Sequence, residues 1–245
     1  MKLEYLHGQR MTKLIHEMTP LEMAIHRYEE IAGNTLDRYE KLAKVHFTDD
    51  KTRIDKEREA ELRDSLRFLE LERLKLEKIS DVQGQLAMYR ASALKASHGT
   101  TMERSQAVRR LELEEHHPTK NLEAFMRAEG VPKPSFKHSA HHIVPGKGKD
   151  QVINGRTRLH LHRYGIGIND PANGVYLLNK DKFTPHWSMP LSRGHKKYHT
   201  KQYEVWVSNR VRVLKNMDAI KTQLQIIGRI LQQNEPKNIP EICAR

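Results

Sequence analysis

From Ile54 to Leu94 the chain has no proline and one glycine, Gly84, while apolar residues recur at Leu62, Leu66, Leu69, Leu76, Ile79, Val82 and Leu86. Spacings of three, four and seven place them on one face of a helix. Between them run Glu70, Glu72, Arg73, Lys75, Glu77 and Lys78, many spaced for i,i+4 pairing, which reads as a solvated face opposite the apolar one. Thr19-Pro20-Leu21-Glu22 has the form of a capping box with proline at the first helical position, so a helix starts there. Asp49-Asp50 opens a second, longer helix. Ser97-His98-Gly99-Thr100-Thr101 ends that segment, another helix follows to about Glu115, and His116-His117-Pro118 breaks the chain. Residues 20–117 thus read as helical throughout, arranged as a hairpin or short coiled coil.

Beyond Pro118 the periodicity changes, and a domain boundary is placed there: a helical region over 1–118, for delivery, docking or assembly, and a second domain over 119–245. Thr119 caps a short helix, Lys120–Glu129, closed by Gly130 with Pro132 and Pro134 behind it. Ala140–Pro145 reads as a strand, and Val152–Tyr164 as a short helix closed by Gly165. Asn169-Asp170-Pro171 turns the chain, and Asn173-Gly174 is a hairpin-like turn into the strand Val175-Tyr176-Leu177-Leu178. Ser192 caps a helix from about His195 to Leu214, a last helix runs from Met217 to Gln233, and Pro236 and Pro240 mark a loose tail. The expected fold is mainly α, with a small α+β domain after the helical region.

Charge divides unevenly between these halves. Residues 1–120 hold 22 Lys and Arg against 22 Asp and Glu, and residues 121–245 hold 21 against 9, so the second half carries the whole +12. Such a local excess points to a polyanionic partner, because Lys and Arg displace condensed counterions from phosphates. An acidic protein could use the same surface. The single Cys243 excludes a disulfide framework and a cysteine-rich zinc site. No segment approaches the roughly 18 consecutive apolar residues of a membrane span. The first residues lack the apolar run of about seven or more that a secretory signal needs. The expectation is therefore synthesis and folding in a reducing cytosol without a cleavable signal, and no membrane partner.

The chemistry gathers in the basic half. His195 and His199 are four residues apart, which on a helix sets their Cβ atoms about 5–6 Å apart, close enough to share a metal ion. His141 and His142 are adjacent in a strand candidate, where neighbouring side chains point to opposite faces. One can face a metal while the other faces a water to be deprotonated, the division that metal-assisted hydrolysis requires.

Ala140-His141-His142-Ile143-Val144-Pro145, then Gly165-Ile166-Gly167-Ile168-Asn169-Asp170-Pro171-Ala172-Asn173-Gly174-Val175-Tyr176-Leu177, then His195-Lys196-Lys197-Tyr198-His199-Thr200-Lys201-Gln202-Tyr203 closely resembles the AHH nuclease family of the HNH/endonuclease VII superfamily. The stretch Asn121–Pro134 looks like its lead-in. The resemblance covers about residues 120–214 and leaves out the helical half. It implies a ββα-metal fold in which His141 binds the metal, His142 is the general base, Asn173 holds the loop and orients the base, and His195 and His199 complete the metal shell. The position before His142 is histidine where the superfamily usually has aspartate. Three neutral imidazoles suit zinc, nickel, cobalt or copper better than magnesium, although magnesium stays open.

His186 and Tyr203 are possible additions to the site, each with packing as the alternative: His186 beside Trp187, Tyr203 against Trp206. His160 and His162 read as surface residues of a short helix, and His138 is undecided. Lys147, Lys149, Arg156, Arg158, Arg163, Arg193, Lys196, Lys197 and Lys201 flank the motifs and are assigned to phosphate contacts. The function expected from the resemblance is a metal-dependent endonuclease, DNA favoured over RNA, with little sequence preference. It would be an antibacterial toxin delivered by secretion machinery and held by a cognate immunity protein. The alternatives are a ribonuclease or a nuclease of phage or host DNA processing, and a non-catalytic nucleic-acid-binding module with a structural metal.

Overall fold

The computed structural model of the protein describes residues 5–6, 9–10, 13–45, 53–115 and 119–233. The expected helix start at Asp49-Asp50, the break and domain boundary at His116-His117-Pro118, the tail at Pro236 and Pro240, and Cys243 lie outside the described residues. Contacts divide the chain into two units, residues 1–80 with 127–132 and residues 81–126 with 133–245.

In the first unit, two-residue strands β1 (Tyr5–Leu6) and β2 (Gln9–Arg10) pair antiparallel. Helix α1 (Pro20–Val45) opens on the expected capping box: Thr19 Oγ1 accepts from Glu22 N–H at 3.3 Å, and Glu22 Oε2 accepts from Thr19 N–H at 2.8 Å. It packs on α2 (Arg53–Leu76), where Tyr28 Oη donates to Leu69 O at 3.1 Å. Arg127 donates to Glu72 Oε2 at 2.8 and 3.0 Å, a fork of charge-assisted bonds between side chains 7% and 2% exposed. Gly130 has φ 84°, and a Cβ there would meet Met23 Cβ at 2.9 Å, so glycine is required on both counts.

The single helix expected over 54–94 is instead two. Helix α2 stops at Leu76 and α3 (Ile79–His98) begins after a turn in which Lys78 N–H donates to Lys75 O at 3.3 Å. No glycine or proline marks the break. Leu69, Ile79 and Leu86 of the expected apolar stripe are buried, whereas Leu66 is exposed.

The second unit takes in α3 from Asp81 and α4 (Thr101–Glu112), which meet through Ala93, Ala96, Ala107 and Leu111. Thr100 caps α4 in a second capping box with Glu103. Helix α5 (Lys120–Ala128) then leads to β3 (His138–His142). After α6 (Gln151–Arg163), capped by Asp150, comes β4 (Gly174–Leu178), antiparallel to β3 with His141 opposite Val175 and His142 opposite Gly174. Helices α7 (Lys201–Val211) and α8 (Met217–Gln233) complete the unit. The core joins Ile143, Leu177, Trp206, Val207, Leu224 and Ile227 among others. Each fully buried aliphatic side chain there contributes about 1.5–3 kcal/mol. Gly165, at φ 71°, ends α6 where a Cβ would press on Leu94 Cα at 3.1 Å.

Three local expectations are corrected. Asn173-Gly174 is no hairpin turn: Gly174 has φ −110°, and the β3–β4 connection contains all of α6. The expected helix from His195 to Leu214 is a 3-10 turn, His195–Tyr198, followed by α7, because Thr200 and not Ser192 supplies the cap, accepting from Tyr203 N–H at 3.1 Å. The histidines read as surface residues of α6 are not: His162 is fully buried, and His160 Nε2 donates to Leu214 O at 2.8 Å.

Candidate active site

Strand β3 starts two residues before Ala140 and stops at His142, and Asn173 explains the stop. Ile143 N–H donates to Asn173 O at 2.8 Å, then the Asn173 side chain replaces the ladder, with Oδ1 accepting from Val144 N–H at 2.8 Å. Its Nδ2 donates to Val144 O at 3.1 Å and to Ile168 O at 3.0 Å. A fully buried amide so occupied can do nothing but hold two loops together.

Alternation along β3 sends the two histidines to different neighbours. The His141 ring lies 5.3 Å from His199, 6.3 Å from His195 and 5.9 Å from Tyr203, and His195 and His199 are 5.4 Å apart, all measured between centroids. The 3-10 turn, rather than a helical i,i+4 pair, is what brings His195 and His199 together. Burial, with His199 and His195 alongside, pushes His141 well below the usual imidazole range, so it is neutral at pH 7. Burial also lowers His195.

His141 Nε2 and His195 Nδ1 are buried without a hydrogen-bond partner, while His199 is exposed. Two imidazoles on one tetrahedral ion, with nitrogen about 2.1 Å from it, have centroids roughly 5 Å apart, so two of the three separations fit a shared ion. Among the described residues no group of three His, Cys, Asp or Glu side chains is already drawn in tightly enough to hold a metal. The separation that exceeds the shared-ion spacing is the 6.3 Å between His141 and His195. Tyr203 both supports the site and packs: its hydroxyl donates to Ile143 O at 2.9 Å, and its ring stacks on Trp206 at 6.2 Å.

His142 faces the other way, with Nε2 3.1 Å from Asn169 Oδ1. The Asn169 amide is fixed by its other bonds, since Nδ2 donates to Glu114 Oε1 at 2.6 Å and to Glu115 O at 2.9 Å. Oδ1 is therefore the atom offered to His142, Nε2 carries the ring proton, and Nδ1 is the basic nitrogen. Tyr89 Oη closes the network, donating to Glu114 Oε2 at 2.9 Å and accepting from Asn169 N–H at 3.1 Å. Burial raises Glu114, against the lowering pull of its bonds from Asn169 and Tyr89.

A cavity of about 240 Å³ opens on the histidine cluster, lined by His141, His199, Lys147, Lys149 and Glu204 among others. Glu204 is buried and accepts from Lys149 N–H at 2.6 Å and Asp150 N–H at 2.7 Å, fixing the loop that enters α6. Of the other basic residues, Arg158 donates to Leu111 O at 2.7 Å and Glu112 O at 2.9 Å, and Lys197 pairs with Asp181 at 3.4 Å. Arg156, Arg163, Arg193, Lys196 and Lys201 are exposed.

His186 does not join the cluster. It packs edge-on against His138 at 4.7 Å, and Ser188 Oγ bridges the two rings. Burial, with His186 beside it, lowers His138 to about 3. Asn169, Glu114, Tyr89 and Glu204 had no assigned role in the sequence reading. Asn169 sits inside the motif that carried the resemblance, but a lone Glu114 at the end of a charged helix gives no signal.

Residues 122–233 match the model of AHH, a nuclease family of the HNH/ENDO VII superfamily with conserved AHH. The match extends past residue 214 to the end of α8. No curated protein and no solved structure matches the chain.

Proposed function

We propose, from that family match, that residues 122–233 form a metal-dependent endonuclease that hydrolyses phosphodiester bonds with little sequence preference, DNA favoured over RNA. The observation that carries the reading is the pairing of a base with a fixed tautomer, His142 held by Asn169 at 3.1 Å, with a neighbouring cluster of three imidazoles. His141, His195 and His199 would hold one divalent ion, of the zinc or nickel type by donor set, with magnesium the alternative. When bound, that ion supplies charge stabilisation to the phosphate and the departing 3′ oxygen.

The chain's own residues do the rest. His142 Nδ1 takes a proton from the attacking water, a bond forms from that oxygen to phosphorus, and the bond to the 3′ oxygen breaks. The developing imidazolium is held through Nε2–H by Asn169, whose amide leans on Glu114. Asn173 keeps the β3 exit and the Ile168 loop in register, and Lys147 and Lys149 draw the phosphate backbone into the cavity. Delivery as an antibacterial toxin, made without a cleavable signal and restrained by an immunity protein, follows from the kind of family rather than from the site. No helix among the described residues is long and apolar enough to cross a membrane.

The test is plasmid and total RNA digestion by the purified chain with magnesium, manganese, zinc or nickel, before and after chelation. Wild type should nick plasmid only with metal present, and His142→Ala should abolish this while retaining wild-type metal content. Undiminished cleavage by His142→Ala would remove it as the base, and metal lost in that variant would make it a ligand. No cleavage under any metal would favour the binding-module alternative.

A further inference from the structure

Three hollows of the second unit share walls. The histidine cavity, about 240 Å³, has Lys147 and Gly148 in common with a hollow of about 380 Å³ along α6. That one shares Glu112 and Leu159 with a cleft of about 760 Å³ between α4 and α6. The cleft is lined by Arg104, Arg109 and Arg163, against which it sets one carboxylate, Glu112. Among the described residues, no carboxylate pairs with these three arginines; Arg104 and Arg109 stand exposed on α4.

The middle hollow holds an independent sign of a missing ligand. Asn154, 4% exposed, lines it with an Nδ2 that is buried and has no partner. A buried amide N–H left unmade costs about 1–3 kcal/mol, and an acceptor entering from the hollow would recover it. Gly148 leaves the room: a Cβ there would fall 1.2 Å from Asn154 Nδ2.

We infer that these hollows form one track for a nucleic-acid backbone, running from the histidine cluster past Asn154 to Arg104, Arg109 and Arg163, and so engaging α4, outside the family match. The inference rests on the nuclease reading for its first few nucleotides. Helix α6 has 13 residues and so spans about 20 Å, and one strand advances about 3.4 Å per nucleotide. The track therefore takes about six nucleotides beyond the reacting phosphate. Unpaired guanidiniums suit phosphates, whose oxygens match their fork. Continuity with the reacting site favours a nucleic acid over an acidic protein, which would need the cleft alone.

Binding is measured by fluorescence anisotropy in chelator, so that cleavage plays no part, using the full chain and labelled single-stranded and duplex DNA of about 4 and 24 nucleotides over a range of salt. Arg104→Gln with Arg109→Gln should weaken the longer DNA at least tenfold and lower the salt slope by about 1.4–1.8. The affinity advantage of long over short DNA should collapse. Lys221→Gln with Arg229→Gln, on α8, removes the same charge away from the track and should cost under threefold.

Equal losses in the two double variants, or equal losses at both lengths, would overturn the track. So would unchanged DNA binding with lost binding to polyglutamate, the sign of an acidic protein partner. Wild type that cleaves while Arg104→Gln with Arg109→Gln binds normally sinks the track alone. Length-dependent binding in a chain that never cleaves supports the track and sinks the nuclease reading.

Discussion

Asn169 Oδ1 stands 3.1 Å from His142 Nε2 while the same amide's Nδ2 is held by Glu114 Oε1 at 2.6 Å, so one side chain sets the tautomer of His142, the proposed base. Asn169→Ala releases the ring to either tautomer and leaves its imidazolium unsupported. The expected result is a fall in kcat of about 10²-fold, the scale of a single positioned proton-transfer partner, with KM changed less than threefold. Steady-state cleavage kinetics on a short duplex, with circular dichroism to confirm folding, would decide it. A KM effect with kcat preserved would show that Asn169 only packs.

Asn173 acts differently, because all three of its side-chain bonds go to backbone, at Val144 N–H, Val144 O and Ile168 O. Asn173→Ala leaves buried donors and acceptors unpaired at roughly 1–3 kcal/mol each. Urea denaturation should show a loss of several kcal/mol. A variant as stable as wild type would mean that the two loops hold without it.

Much of this site was legible in the sequence because its chemistry is local. Adjacent His141 and His142 on a strand must diverge, and the structure sends one to His195 and His199 and the other to Asn169. What escaped was tertiary. His195 and His199 meet through a 3-10 turn because Thr200 wins the cap, and a four-residue spacing reads the same either way. Glu114 reaches Asn169 across 55 positions of sequence, and Glu204 reaches Lys149 across 55, distances over which no periodicity speaks. His162 looked like a surface residue because α6 is polar on most positions; only the packed unit shows which of them turn inward. The helical half yielded its type and its capping box at Thr19, but the break at Glu77 and Lys78 carries no breaker residue.

His162 predicts how stability depends on pH. It is fully buried with both ring nitrogens unpartnered, beside Arg158, and burial, with Arg158 adding, lowers it to about 3. The folded state keeps it neutral while the unfolded chain takes up a proton below the ordinary value of about 6.5, so the unfolded state binds more protons and stability falls as pH drops. The loss begins near pH 6.5 and continues towards pH 3, reaching on the order of 3 kcal/mol by pH 4.5. His162→Leu should be at least as stable at pH 7.5 and should lose less between pH 7.5 and 4.5 than wild type. Parallel urea-stability profiles for the two proteins would place the acid sensitivity elsewhere.

In the first unit, Glu72 and Arg127 test whether a buried ion pair there contributes specificity or only avoids a penalty. Both side chains are almost wholly inside, and Lys75 adds a third charge on Glu72 Oε1 at 2.7 Å. Glu72→Ala strands the Arg127 guanidinium and should cost about 3–5 kcal/mol, because desolvation is no longer offset by an opposite charge. Glu72→Met with Arg127→Met removes both charges at similar volume and should recover most of that loss. The two denaturation midpoints, read by circular dichroism, separate the cases. A double variant as unstable as Glu72→Ala would show that the pair itself, and not merely its neutrality, holds α2 to the last turn of α5.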